Sequence, residues 1–171
     1  MTIRELRPAD FDDVLETYLS FFPEAEADPS FGLLLFREQP TVENERKWFD
    51  DTLREVRDGN AVMRVAEVDS HVVGWCDVRR TRPGTPRDHR GLLGICVRNA
   101  FRGRGLGTAL LGEVLQACRG RFEAVELSVL STNPGAFELY TRFGFREVGV
   151  MPGAIKRAGV YIDERMMQLK L

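Results

Sequence analysis

The chain has few cysteines, no long apolar run and no excess of charge of either sign, and each absence removes a class of protein. Its three cysteines, Cys76, Cys96 and Cys118, are too few and too irregularly spaced for a zinc ribbon or a redox pair, so no metal is expected. An odd number of thiols without a secretory leader points to reduced cysteines in a cytoplasmic protein. No stretch approaches the ~20 apolar residues that cross a bilayer. The opening Met1-Thr2-Ile3-Arg4-Glu5-Leu6-Arg7 alternates apolar and charged side chains where a signal peptide would be continuously apolar. With 24 basic and 26 acidic side chains the net charge is -2, which gives no global basis for binding nucleic acid or membrane. What remains is 43% apolar and 29% charged residues over 171 positions, the composition and length of one globular domain with a single core.

Periodicity divides the chain into elements. Residues 2–7 read as a short strand, and Pro8-Ala9-Asp10 opens a helix whose apolar face is Phe11, Val14, Leu15, Tyr18 and Leu19. Phe22-Pro23 is expected to end it, with loop over 24–29 and a short helical turn over 31–36. Thr41 is the expected N-cap of a second helix running to about Asp58. The period then changes to two, giving strands over 61–68, 72–78 and 91–97 with a turn-rich loop at 81–86. A helix over 104–117, a strand over 124–130, a helix over 134–143 and strands over 145–150 and 160–169 complete one mixed α/β domain spanning 1–171, with no linker or repeat.

Arg102-Gly103-Arg104-Gly105-Leu106-Gly107 lies between a buried strand and an amphipathic helix. Glycines at alternate positions admit positive φ and close approach of a ligand. The first N–H groups of the following helix lack internal acceptors and, with the helix dipole, form an anion site suited to phosphate. Arg98, Arg102 and Arg104 add positive charge beside it. A Walker loop would need Gly-Lys followed by Ser or Thr, and this turn has no lysine. A dinucleotide fingerprint spaces its glycines GxGxxG, whereas Gly103, Gly105 and Gly107 read GxGxG.

The segment from Val97 to Leu111 resembles motif A of the GNAT acetyltransferases, Q/R-x-x-G-x-G/A at a helix start, with Arg102, Gly105 and Gly107 in the defined positions. Asn133-Pro134-Gly135-Ala136-Phe137-Glu138-Leu139-Tyr140, then Phe143-Gly144-Phe145, is similar to the family's motif B. The two stand in the family's order and separation, and the order of elements resembles the GNAT fold: a largely antiparallel twisted sheet of about seven strands, about four helices and one splayed strand pair. The ending Gly159 to Met167 resembles, more weakly, members acting on amino acids, small amines or protein N-termini.

The resemblance implies acetyl-CoA as co-substrate, with its pyrophosphate on the amides of Arg102, Gly103, Arg104, Gly105, Leu106, Gly107 and Thr108. Its pantetheine arm would lie along Ile95, Cys96 and Val97, where Gly94 is consistent with a bulge. Asn133 and Ala136 would complete the cofactor site. Tyr140 would donate its proton to the departing thiolate. The family's glutamate near the start of the motif-A strand falls at about Gly91, which cannot act as a base. Asp77, Asp88, His89, Glu126, Glu38 and Glu43 remain as substitutes and none is singled out; a water relay needs no single base. Cys96 is expected to be a core residue.

The expected reaction is acetylation of a free amino acid or other small amine. Acetylation of protein N-termini or lysines, and a CoA-binding module without turnover, stay open. Exposed strand edges near the C-terminus admit a homodimer.

Overall fold

The period-two segments after residue 60 pair into the frame on which everything else is placed. In the computed structural model, which describes every residue except Pro29 and Leu34, β1 (Thr2–Glu5), β2 (Ala61–Val68), β3 (His71–Arg80), β4 (Arg90–Val97), β5 (Ala124–Leu130), β6 (Arg146–Arg157) and β7 (Val160–Lys170) form one sheet. Its order is β1-β2-β3-β4-β5-β7-β6, and β4–β5 is the parallel pair in an otherwise antiparallel sheet. A parallel pair requires a crossover, here through α4 (Leu106–Cys118). No helix among the described residues is long and apolar enough to cross a membrane.

Alternation along the strands sends apolar side chains to both faces. On one face Leu106, Leu110, Leu111 and Val114 of α4 and Tyr140 of α5 (Pro134–Arg142) pack with Val78, Leu93, Val125, Leu127 and Val129. On the other, Phe11 and Val14 of α1 (Phe11–Leu19), Phe21 of α2 (Phe21–Ala27) and Phe49 of α3 (Val42–Arg57) pack with Met63, Val65 and Trp75. Thr41 caps α3 as expected, its side chain accepting from Asn44 N–H at 3.2 Å.

Three expectations are corrected. Phe22-Pro23 does not end the helical region: Ser20 is itself helical (φ -65°, ψ -17°) and leads into α2, with Pro23 in the first turn, where a missing N–H costs no hydrogen bond. Glu24–Ala27, expected as loop, therefore belong to a helix, and Pro29 lies outside the described residues. The described part of 31–36 is not helical, and Leu34 lies outside. The strand expected at 145–150 runs on to Arg157, because the register shift between Met151 and Ile155 absorbs Pro152 and the positive φ of Gly153, whose N–H donates to Asp163 Oδ1 at 2.8 Å.

Candidate active site

β4 and β5 pair only as Arg90↔Ala124, Gly91↔Val125 and Leu92↔Glu126. Beyond Leu92 they part, and a cleft of about 760 Å³ opens between Leu93–Val97 and 128–130. β4 stays in unbroken register with β3 from Gly91↔Arg80 to Val97↔Gly74, so the bulge expected at Gly94 is absent. The opening comes instead from β5, which follows β7 along its whole length, from Ala124↔Lys170 to Leu130↔Glu164. The outer edge of β4 past Leu92 is thus left without a strand partner, a row of backbone groups suited to an extended ligand.

At the wide end of the cleft lies the glycine turn. Gly103 (φ +72°) and Gly105 (φ +82°) hold left-handed conformations, and Gly105 caps α4 without a side-chain bond, so the helix starts at Leu106. Ala109 is the first residue of the helix to find a backbone acceptor, Gly105 O at 3.0 Å. Leu106, Gly107 and Thr108 line the cleft with their amides ahead of that bond, the arrangement that binds an anion. No Cβ at Gly103 or Gly105 would meet anything within 4 Å, so it is backbone conformation that asks for glycine there.

The arginines serve differently from the expectation that they supply free charge. Arg102 donates Nε to Val97 O at 2.7 Å, and its two terminal nitrogens clasp the Glu24 carboxylate, Nη2 to Oε2 at 3.0 Å. Arg98 pairs with Glu16 at 2.9 Å. Arg104 lays its guanidinium 5.5 Å from the Phe101 ring centroid and is the one residue of the expected cofactor set that does not line the cleft. The backbone amides, more than the guanidinium groups, are therefore what the turn presents to the cleft.

Tyr140 projects from α5 into the inner end of the cleft, 6% exposed, its ring 5.9 Å from that of Phe145. Burial, reinforced by the nearby Cys76 and Cys96, pushes its hydroxyl well above the ordinary phenol range, so it stays protonated and able to donate. Among the described residues no protein group is hydrogen-bonded to that hydroxyl. Asn133 caps α5, its side-chain oxygen accepting from Ala136 N–H at 3.1 Å. Gly32 is pressed against this cap: a Cβ there would stand 2.2 Å from Asn133 Nδ2. Burial likewise drives the Cys96 thiol far up, so it remains a neutral thiol.

None of the acids suggested by sequence lines the cleft. Asp88, His89 and Glu126 lie toward the closed end, where β4 and β5 are still paired; Glu126 is bound to Arg90 at 2.6 Å and His89 Nδ1 sits 3.1 Å from Pro86 O. Gly91 is filled from outside, since a Cβ would meet Val78 Cγ1 at 2.3 Å, and no carboxylate fits there without repacking. Asp77 lies opposite Gly94, buried and held by Arg79 Nε at 2.8 Å; burial raises its carboxyl pKa against the pull of that arginine. Glu43 is on the outer face of α3, away from the cleft, and Glu38 is not among its lining residues. Sequence reasoning missed Glu45, buried on α3 and raised by desolvation, and the cleft residues Gly32, Leu33, Ser128 and Glu164. Of these, Glu164 alone lay in a stretch that the sequence singled out, the ending Gly159 to Met167, and that resemblance gave the residue no role.

Comparison with known proteins agrees with this geometry. An uncharacterized N-acetyltransferase of Methanocaldococcus jannaschii is 33% identical over 159 residues, 91% of this chain and 65% of that protein. An L-amino acid N-acetyltransferase of Escherichia coli is 33% identical over 60% of this chain and 64% of its own length, so the chain spans just under two thirds of these two relatives. An L-methionine sulfoximine/L-methionine sulfone acetyltransferase of Pseudomonas aeruginosa is 26% identical over 99% of this chain and 94% of that protein. Among solved structures, a ribosomal-protein-alanine N-acetyltransferase from Brucella melitensis superposes with a TM-score of 0.84 at 26% identity, covering 100% of both chains. A Salmonella typhimurium acetyltransferase solved with acetyl-CoA has the same fold, TM-score 0.85 at 22% identity over 100% of this chain and 94% of that one. Residues 11–145 match the acetyltransferase (GNAT) family, in keeping with the splayed strand pair and the glycine turn, and the chain belongs to that family.

Proposed function

We propose that this protein transfers the acetyl group of acetyl-CoA directly to a primary amine, in first place a free amino acid or other small amine. The observation that carries the reading is one continuous path: phosphate-binding amides at Leu106 to Thr108, an open strand edge along Ile95 to Val97, and a protonated Tyr140 where that edge meets α5. Asn133 and Ala136 form the wall across from the strand. The residues fit the co-substrate: an anion site at one end, an extended slot of backbone groups, then a hydroxyl donor.

In the reaction the acceptor nitrogen, once deprotonated, attacks the thioester carbonyl carbon; the C–N bond forms and the C–S bond breaks. Tyr140 gives its proton to the departing sulfur and is reprotonated from solvent, while the acceptor nitrogen loses one proton to water before attack and a second to water as the amide forms. The amides at the β4 edge hold the thioester and polarise its carbonyl oxygen. The names of the E. coli and P. aeruginosa relatives support an amino-acid acceptor. The B. melitensis neighbour, named for ribosomal-protein alanine and covered end to end, supports a protein N-terminus as the second reading.

Localisation in the cytoplasm and a homodimer belong to the same proposal. The second is supported by the exposed apolar side chains Val148, Val150, Met151, Val160 and Tyr161 on the β6–β7 hairpin. The test is thiol release from acetyl-CoA in the presence of amino acids, polyamines and short peptides. Acceptor-dependent release is expected. CoA binding without release from any acceptor would leave only a binding module, and no CoA binding would overturn the reading altogether.

A further inference from the structure

Among the described residues lining the cleft, the charged ones are Arg102, Arg142 and a single carboxylate, Glu164. Alternation along β7 fixes which side of the sheet Glu164 occupies. Met167 and Leu169 join the core under α4 and α5, and Arg165 stacks 3.6 Å from the ring centroid of Phe137 on α5. Odd positions of β7 thus face those helices and Glu164 faces away from them. β5 agrees: Leu127 and Val129 belong to the α4 core, while Ser128, opposite Met166, and Leu130, opposite Glu164, face the other way. Ser128 Oγ donates to Glu164 Oε1 at 2.6 Å, and no cation among the described residues is paired with that carboxylate.

The cleft therefore has two unlike sides. The glycine turn and Tyr140 belong to the α4–α5 side; Glu164 and Ser128 belong to the opposite side of the same gap, with Cys96 and Leu33 nearby on the cleft wall. An arm entering from the α4 side and lying along β4 leaves the opposite side as the approach for a nucleophile. We propose that Glu164 is the acceptor-binding carboxylate of this protein: Ser128 orients one of its oxygens and the acceptor's ammonium group docks on the other. The proposal rests on reading the cleft as a thioester site, and it assigns the acceptor a cationic nitrogen before transfer. An ammonium bound to a half-buried carboxylate gains a charge-assisted hydrogen bond and sheds its proton within reach of that oxygen or of water.

The test is calorimetric binding of L-methionine, L-phenylalanine, spermidine and an alanine-initiated tripeptide to the CoA-loaded full chain, comparing the wild-type protein with Glu164→Gln. Glutamine keeps the size and the acceptor oxygen for Ser128, and CoA titration together with thermal unfolding verifies that fold and cofactor site are intact. For the amines that bind, affinity is expected to fall about tenfold or more in the variant, with CoA affinity within about twofold. Equal affinities in the two proteins, or no amine binding to the wild type, would overturn the assignment. Turnover is read separately on the same samples. Amines that bind through Glu164 without being acetylated would refute the transferase reading and leave the site standing; amines acetylated with unchanged KM in the variant would do the reverse.

Discussion

Glu24 and Arg102, 78 positions apart, are joined by two parallel hydrogen bonds that tie α2 to the glycine turn. The guanidinium also bonds Val97 O and lies about 6 Å from the ring centroids of Phe21 and Phe31, 5.9 and 5.8 Å respectively. Its charge is spent on the protein, which makes Arg102 a clamp on the cradle more than a counter-charge for phosphate. Arg102→Ala is therefore expected to weaken CoA binding about tenfold by loosening the turn. Glu24→Gln keeps the Val97 bond and should change CoA affinity by less than about threefold, while lowering Tm by about 2–4 °C for the loss of ~1 kcal/mol. Calorimetric CoA titration and thermal unfolding of both variants check this. A marked gain of CoA affinity in Glu24→Gln would instead mean that a freed guanidinium reaches phosphate.

Tyr140→Phe separates chemistry from packing. The ring lies in the α4 core, so phenylalanine preserves the buried surface, and the hydroxyl has no protein partner among the described residues to lose. Thermal stability should hold within about 1 kcal/mol, CoA affinity should be unchanged, and kcat should fall about 100-fold, the scale of a lost general acid. Because burial keeps the phenol protonated, the wild-type rate should show no loss from its ionisation below pH ~10. A variant with full kcat would remove Tyr140 from the mechanism.

The second half of the chain was the more legible one, for a physical reason. A phosphate cradle restricts residue type at fixed spacing: Gly103 and Gly105 must take positive φ, and the capping Asn133 and the hydroxyl of Tyr140 follow at set intervals on one helix. Such constraints can be read directly in the one-dimensional order. The face of the sheet opposite α4 carries no comparable demand. Glu164 is the middle one of three consecutive charged residues, Asp163-Glu164-Arg165, and Gly32 sits in a segment without periodicity; only the fold brings them to the cleft. Pro23 misled because proline is a breaker in a helix interior yet harmless in a first turn, and sequence alone did not place the break at Ser20. Gly94 misled in the opposite sense: a glycine in a strand suggests a bulge, whereas this strand stays flat on β3 and its neighbour bends away.

Gly32 is the point where the amino-terminal half closes on the cleft wall at Asn133. A methyl group there would overlap the Asn133 amide, 2.2 Å from Nδ2 and 2.9 Å from Cγ. Gly32→Ala should push Asn133 off Ala136 N–H, uncapping α5 at a cost of about 1 kcal/mol, and should raise the KM for acetyl-CoA several-fold. Asn133→Ala should reproduce the stability loss, and the double variant should lose less than the sum of the two, since both act on one cap. Additive losses in Tm would show that the contact is not shared.

The tie between α1 and the β2–β3 turn should make stability depend on pH within a defined window. Asp13 Oδ1 stands 3.0 Å from His71 Nδ1, and Oδ2 accepts Val72 N–H at 2.9 Å. The hydrogen bond and charge of Asp13 raise the His71 pKa. For Asp13 itself burial opposes ionisation, but the bonds from His71 and Val72 outweigh it and the pKa is lowered. A histidine raised on folding contributes stability that is full below its unfolded value of ~6.5 and vanishes as pH rises through the folded value. An aspartate lowered on folding contributes above ~3.9 and is lost as pH falls through its folded value. The pair should therefore be strongest between about pH 4 and 6.5. His71→Gln keeps a polar side chain but removes the charge, so its Tm should lie below that of the wild type within this window. The two melting curves should converge as pH rises through the folded-state value of His71, where the wild-type imidazole becomes neutral. A Tm difference that stays constant as pH rises from the acid side of ~6.5 into the alkaline range would show that the ring contributes contact and not charge.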